Sequence, residues 1–134
     1  MTDCLFCKII NKEIPCHKIY EDEYTLAFLD ISNDCGGHTL VIPKTHCRNI
    51  LDCPELILGK VINTVKFVSN HYVENCGFDG VNVLNASEPA AEQSVFHLHF
   101  HILPRKNNDN LHTFPTLPKN EKSLEEIANL LKIN

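Results

Sequence analysis

The residues of this chain best suited to chemistry are three histidines at alternate positions in the run His97-Leu98-His99-Phe100-His101. On an extended strand, successive same-face side chains lie about 7 Å apart, near enough for neighbours to share a phosphate or a metal. Two chemistries suit such a row. Imidazoles can ligate a catalytic metal, although such sites usually recruit carboxylates or further histidines, and the apolar residues between these three supply none. Alternatively, a neutral imidazole held in one tautomer through its other nitrogen attacks phosphorus, while a second imidazole or an amide steadies the charged oxygens. Gln93 and Ser94, immediately before the run, are donors for this second chemistry. The other suggestive spacing is Cys4-x-x-Cys7, which by itself is open between a zinc site, a redox pair and chance.

The elements that carry these groups follow from periodicity. Within residues 94–103, period-2 alternation puts Val95, His97, His99, His101 and Leu103 on one face and Phe96, Leu98, Phe100 and Ile102 on the other, the strand ending at Pro104. Residues 18–21 and 24–30 read as a hairpin around Asp22-Glu23. Residues 38–42 read as a third strand, entered through Gly36-Gly37 and stopped by Pro43, and residues 80–85 as a fourth. Between residues 52 and 76, Leu58, Val61, Ile62, Val65, Val68 and Tyr72 follow the i, i+3/i+4 rule of a long helix. Asp52 is its expected N-cap with Glu55 three residues on, Pro54 falls in the first turn, and Gly77 suits the position after the C-cap. Ser123 and Glu126 form a capping-box pattern ahead of Leu124, Ile127, Leu130 and Leu131, which predicts a short amphipathic helix after a polar loop over residues 105–120. The sum is an α+β fold with a five-stranded antiparallel sheet. A thioredoxin-like use of Cys4 and Cys7 wants a βαβ setting, which this order of elements lacks.

A chain of 134 residues suits a single domain over 1–134, with the motifs in 4–105 and the polar loop and last helix in 106–134. Its formal charge of −5 argues against non-specific nucleic-acid binding, which neutralises many phosphates with Lys and Arg. The first ten residues lack a basic stretch followed by a long apolar one, and no run approaches 18 apolar residues, so neither export nor membrane insertion is expected. Seven scattered cysteines, an odd number, read as thiols of a reduced compartment, and the expected location is cytoplasmic. His17, His71 and His112 have no partner pattern and are expected at the surface, with Lys44 and Arg105 as solvated charges.

The run from Gln93 to Arg105 resembles the signature of the histidine-triad (HIT) family, His-φ-His-φ-His-φ-φ with φ apolar, preceded by Gln and Ser or Thr. Cys4-Leu5-Phe6-Cys7, Glu13-Ile14-Pro15, Ala27-Phe28-Leu29-Asp30-Ile31 and Gly37-His38-Thr39-Leu40-Val41-Ile42-Pro43-Lys44-Thr45-His46 are similar to the family's N-terminal half in order and spacing, within its general bacterial-type branch. The resemblance implies a HIT-like fold with one long helix and short terminal helices, and a homodimer. It makes His99 the nucleophile that forms a nucleotidyl-histidine intermediate, His101 and Gln93 contacts of the α-phosphate, Ser94 a hydrogen-bonding partner of the leaving atom, and His38 part of the relay behind the nucleophile. Asp30 then binds the ribose hydroxyls; Phe28, Ile31 and Ile14 line the base pocket; Asn85 sits near the phosphates. In zinc-containing members, two N-terminal cysteines join two histidines that here are His46 and His97, so Cys4, Cys7, His46 and His97 form a closed Cys₂His₂ structural zinc site.

The implied activity is hydrolysis of purine nucleoside 5′-phosphate derivatives at the α-phosphorus, of the phosphoramidate type. Dinucleoside polyphosphate hydrolysis and a zinc-stabilised regulatory protein with little turnover are the alternatives. In one place the sequence departs from the family: Glu92 stands where the last glycine before the triad is expected. A carboxylate there repels a phosphate unless it points outward.

Overall fold

The computed structural model describes residues 3–134. The first two residues of the expected 1–134 unit lie outside it. The elements run α1 (Leu5–Ile10), β1 (Lys18–Glu21), β2 (Thr25–Leu29), β3 (Thr39–Pro43), α2 (Glu55–Asn75), β4 (Gly80–Leu84), β5 (Phe100–Arg105) and α3 (Leu124–Leu131), with a 3-10 turn at Pro89–Ala91. The strands form one five-stranded antiparallel sheet in the order β1-β2-β3-β5-β4, which makes the molecule α+β as expected.

Both faces of the central strands are covered, so Leu26, Ala27 and Phe28 of β2 are all buried. Ala27, Val41, Phe100 and Ile102 face α2 and pack on its Val61, Val65 and Val68. Leu26, Phe28, Leu40 and Ile42 face the other way and pack under Phe6 and Ile9 of α1. At about 25 cal/mol per Å² of apolar area, this two-sided burial is the main stabilising contribution. Two hydroxyl pairs pin α2 to the sheet, Thr39 to Tyr72 at 2.6 Å and Thr25 to Thr64 at 2.7 Å.

The start of α2 and both ends of β5 differ from the sequence reading in ways that have a physical cause. Asp52 does not cap α2: its carboxylate accepts from the Arg48 and Asn49 amides at 3.1 and 3.0 Å, closing the preceding turn, and the N-cap position falls to Pro54. At the other end Gly77, with φ +80°, lets the Phe78 amide fold back onto the Tyr72 carbonyl, as its position past the C-cap predicts. β5 starts at Phe100 rather than at Ser94. It also runs through Pro104 to Arg105, because Pro104 pairs with Val81 of β4 beyond the last β3 pair, Thr39 with Ile102, where the missing N–H breaks no ladder bond. The capping box of Ser123 and Glu126 forms as expected at the start of α3.

Candidate active site

The site assembles where β3 and β5 end. Pro43 has no N–H with which to extend the β3–β5 ladder, and residues 97–99 are held by three other bonds instead. The Leu98 amide donates to the Cys47 carbonyl (2.8 Å), the fully buried His97 Nε2–H donates to the Pro43 carbonyl (2.9 Å), and the Asn85 side-chain amide donates to the His99 carbonyl (2.8 Å). The segment keeps its extended direction, and Leu98 drops into the α2 core between the two imidazoles.

His99 Nδ1–H donates to the His97 carbonyl at 2.8 Å, which leaves Nε2 as the unprotonated nitrogen. Burial, ahead of the neighbouring charges, holds the His99 imidazole below its ordinary pKa, so the ring is neutral near pH 7. Its flank lies edge-on to Phe6 at 5.2 Å between centroids, and Phe6 in turn meets Phe28 at 5.6 Å. These two phenyl rings belong to the wall of an apolar cavity of about 260 Å³ that also includes Ile14, Ile31 and Asp30. The sequence-predicted base-pocket residues therefore come together beside His99, with Ile31 as a rim residue, 95% exposed. Asp30 accepts from the Ser32 amide at 2.8 Å and holds its second oxygen 3.9 Å from His38 Nε2.

His101 stands beside His99, ring centroids 5.0 Å apart, and burial pushes its pKa down to about 4. Its Nδ1 is 2.8 Å from His38 Nε2, and His38 Nδ1 is 2.6 Å from Asp34 Oδ1. The His38 relay thus reaches His101 rather than His99. A second cavity, of about 370 Å³, opens on the His38–His101 side and is lined by Asn85, Asp34 and Glu92 among others. Glu92 ends the 3-10 turn with φ +70°, a backbone conformation that glycine adopts freely.

Gln93 and Ser94 lie elsewhere than their sequence assignment implies. The Gln93 amide is buried (6% exposed) and faces the protein interior: Nε2 donates to the Arg48 and Val95 carbonyls, while Oε1 accepts from Asn49 Nδ2 and the Glu88 amide. Ser94 is exposed and lines a groove with Asp3, Cys4, Leu5, Val95 and Phe96, rather than either cavity beside the imidazoles. Asp34, which the sequence reading passed over, is the residue that the site adds; its one signal is an acidic side chain four residues before His38.

On the far side of His97, Cys4, Cys7, His46 and His97 bring one ligand atom each within 4.8 Å of one another. Cys4 Sγ lies 3.3 Å and Cys7 Sγ 3.6 Å from His97 Nδ1, Cys7 Sγ lies 3.4 Å from His46 Nδ1, and the two Nδ1 atoms are 3.1 Å apart. A tetrahedral zinc with bonds of about 2.0 Å to nitrogen and 2.3 Å to sulfur sets its ligands roughly 3.3–3.8 Å apart, so the donors fit the ion. The Pro43 carbonyl, by accepting from His97 Nε2–H, leaves the Nδ1 lone pair aimed at the cluster. Burial and the adjacent Cys4 push the Cys7 thiol up to about 11, a preference that a bound cation reverses.

The HIT domain family matches residues 11–108 of the chain, which belongs to that family. The adenosine 5′-monophosphoramidase hnt1 of Schizosaccharomyces pombe is 36% identical over 135 residues, covering 96% of this chain and 98% of its own. A crystal structure of a HIT family member from Bacillus subtilis superposes with a TM-score of 0.84 at 38% identity, covering 96% and 92% of the two chains. A Zn-bound histidine triad family protein from Mycobacterium smegmatis superposes with a TM-score of 0.76 at 37% identity, covering 87% and 84%. These relatives support nucleotide hydrolysis in general terms, and the five-stranded α+β architecture is that of the solved members.

Proposed function

We propose that the chain hydrolyses purine nucleoside 5′-phosphoramidates: His99 Nε2 attacks the α-phosphorus, a nucleotidyl-histidine forms, and water resolves it. The observation that carries this reading is the His99–His97 carbonyl bond of 2.8 Å, which leaves Nε2 unprotonated on a ring packed against Phe6, itself part of the wall of the apolar cavity. In this reading Phe28, Ile14 and Ile31 hold the base, Asp30 accepts from the ribose hydroxyls, and His101 and Asn85 serve the phosphate, His101 by contact and Asn85 by fixing the His99 backbone. The carboxylates of Asp34 and Glu92 in the cavity beside His101 favour an amine leaving group over the anionic tail of a dinucleoside polyphosphate. Replacing His99 with Ala is expected to reduce hydrolysis of adenosine 5′-phosphoramidate by roughly six orders of magnitude, the scale of losing a covalent nucleophile, with nucleotide binding kept within several-fold. Retained turnover overturns the mechanism, and faster turnover of diadenosine polyphosphate by the unaltered protein overturns the choice of substrate.

Zinc held by Cys4, Cys7, His46 and His97 serves a structural role in this reading, fixing His97 two residues from the nucleophile. It takes no part in bond making. The protein acts in the cytoplasm as a homodimer, for which two surfaces speak: β4 is an edge strand with Val83 exposed, and α2 leaves Leu56, Ile62 and Val73 exposed. A solution mass of twice the 15.2 kDa chain is expected, and a monomer at micromolar concentration refutes the dimer.

A further inference from the structure

The chain Asp34–His38–His101 has the form of a carboxylate ordering an imidazole that in turn orders a second one. Asp34 Oδ1 sits 2.6 Å from His38 Nδ1 and also accepts from the Ser32 hydroxyl at 2.9 Å, so the carboxylate is held in place from its own turn. That turn is built at a backbone cost: Asn33 and Cys35, on either side of Asp34, have φ of +53° and +50°, and strain of this kind persists where the surrounding structure has a use for it. His38 is largely enclosed, its side chain 11% exposed, and its other nitrogen lies 2.8 Å from His101 Nδ1.

The protons in this chain are constrained. With Asp34 ionised, His38 Nδ1 must carry a hydrogen. If the pair of imidazoles is neutral, the shared hydrogen sits on His101 Nδ1 and His101 Nε2 is bare. If the pair carries one extra proton, His38 donates at both nitrogens and His101 shows an Nε2–H. The other titratable groups around the pair are Asp30, 3.9 Å from His38 Nε2, His99 across the His101 ring, and Cys35 and Glu92 along the cavity. Burial and the two neighbouring histidines disfavour a charge on His101, while Asp30 and Asp34 favour it.

Resting on the phosphoramidate reading above, we propose that Asp34 is a positioning residue: by orienting His38 and stabilising one extra proton on the His38–His101 pair, it makes His101 the proton donor to the leaving nitrogen. In the first half-reaction the His99 Nε2 lone pair forms the N–P bond, the bond from phosphorus to the leaving amine breaks, and the amine nitrogen takes the proton from His101 Nε2. In the second, water attacks the phosphorus, its proton passes to His101 Nε2, and the electrons of the P–His99 bond return to His99. Phosphoramidate and water give nucleoside monophosphate and amine, with no further reactant. His101 gives one proton to the amine and regains one from water, in the manner of the base in a carboxylate-ordered triad.

The test uses Asp34→Asn and Asp34→Glu in the full chain with two substrates, adenosine 5′-phosphoramidate and the nitrophenyl ester of adenosine monophosphate, whose phenolate departs without a proton. Asp34 favours a charge on His101, so removing its charge lowers the pKa of that ring, by about one unit. Asp34→Asn is therefore expected to move the alkaline limb of phosphoramidate kcat about one unit toward lower pH and to reduce kcat roughly tenfold above that limb. First-turnover release of nitrophenolate should change by less than about threefold, and Asp34→Glu should restore most of the loss. Equal losses on both substrates with an unmoved limb overturn the proposal. If the unaltered protein turns over neither substrate, the phosphoramidate reading fails instead. Titration of the His101 ring by NMR still decides the role of Asp34, through a midpoint that drops in Asp34→Asn or stays where it was.

Discussion

Gln93 shows how far a single residue can be read from its neighbours in the chain. Its place before the triad assigns it to the phosphate, yet its amide makes four bonds inside the protein, to the Arg48 and Val95 carbonyls, the Asn49 side chain and the Glu88 amide. Nothing in the sequence announces that Arg48, Asn49 and Glu88 meet there, because the separations in sequence are about forty residues and the contact exists only once β3 and β5 are paired. The juxtaposition of His99 and His101 is, by contrast, legible, since the alternation of residues 97–101 sets both rings on one side of an extended segment. Asp34 was not, because a lone acid in a Gly-rich turn looks like any turn carboxylate until His38 is seen to fold back on it. The inward amide makes a definite prediction for Gln93→Ala. Stranding several buried partners at about 1–3 kcal/mol each, partly relieved by water, should cost on the order of 2–3 kcal/mol. In thermal unfolding this appears as a fall in Tm of roughly 5–10 °C, with KM for the phosphoramidate changed less than about threefold. A large rise in KM at unchanged Tm returns Gln93 to the phosphate.

Elements were read well where a single period governs them and poorly where a side chain or a loop takes over from the ladder. The α2 helix follows its 3.6-residue pattern through 21 residues, and its last turn closes through Gly77 as the sequence suggests. Its first turn departs from the pattern: Asp52 looks like a cap by composition, but two amides of its own turn reach the carboxylate first. The six residues from Ser94 to His99 alternate like a strand without being one, because Pro43 ends the neighbouring ladder and Asn85 and Cys47 hold the chain instead. That exchange serves the site. A regular ladder would tie up the His99 carbonyl with a backbone N–H, whereas the Asn85 side chain does so from the rim of the cavity beside His101. The turn before it carries Glu88 and Glu92 at φ of +78° and +70°, so the expected glycine is missing while its conformation is kept.

At the scale of the molecule, the sheet is a partition with α2 on one side and the apolar cavity of Phe28, Ile14 and Ile31 on the other, and what closes the second side is the short α1. Six residues cannot hold a helix in water by themselves. Phe6 and Ile9 anchor it by packing on Leu26, Phe28, Leu40 and Ile42, and the Cys4–Cys7–His46–His97 cluster ties its first turn to the segment that carries His97 and His99. The sequence resemblance named these four residues as a set, but not that the same helix walls the neighbouring apolar cavity through Phe6 and sets that ring against His99. In the proposed reading, metal and substrate affinity are therefore coupled through α1. With about one zinc per chain, chelation should remove several kcal/mol of stability, since binding free energy to a site that exists only in the folded state is folding free energy. The expected readings are a Tm lower by more than about 10 °C and, below the new melting temperature, a KM for adenosine 5′-phosphoramidate raised at least severalfold as α1 loosens. Restoring zinc should reverse both, and a Cys4→Ala/Cys7→Ala variant should show both defects from the start and ignore the chelator. A chelated protein with unchanged Tm refutes the zinc site, whereas a lower Tm with unchanged KM shows that α1 holds the cavity wall without it.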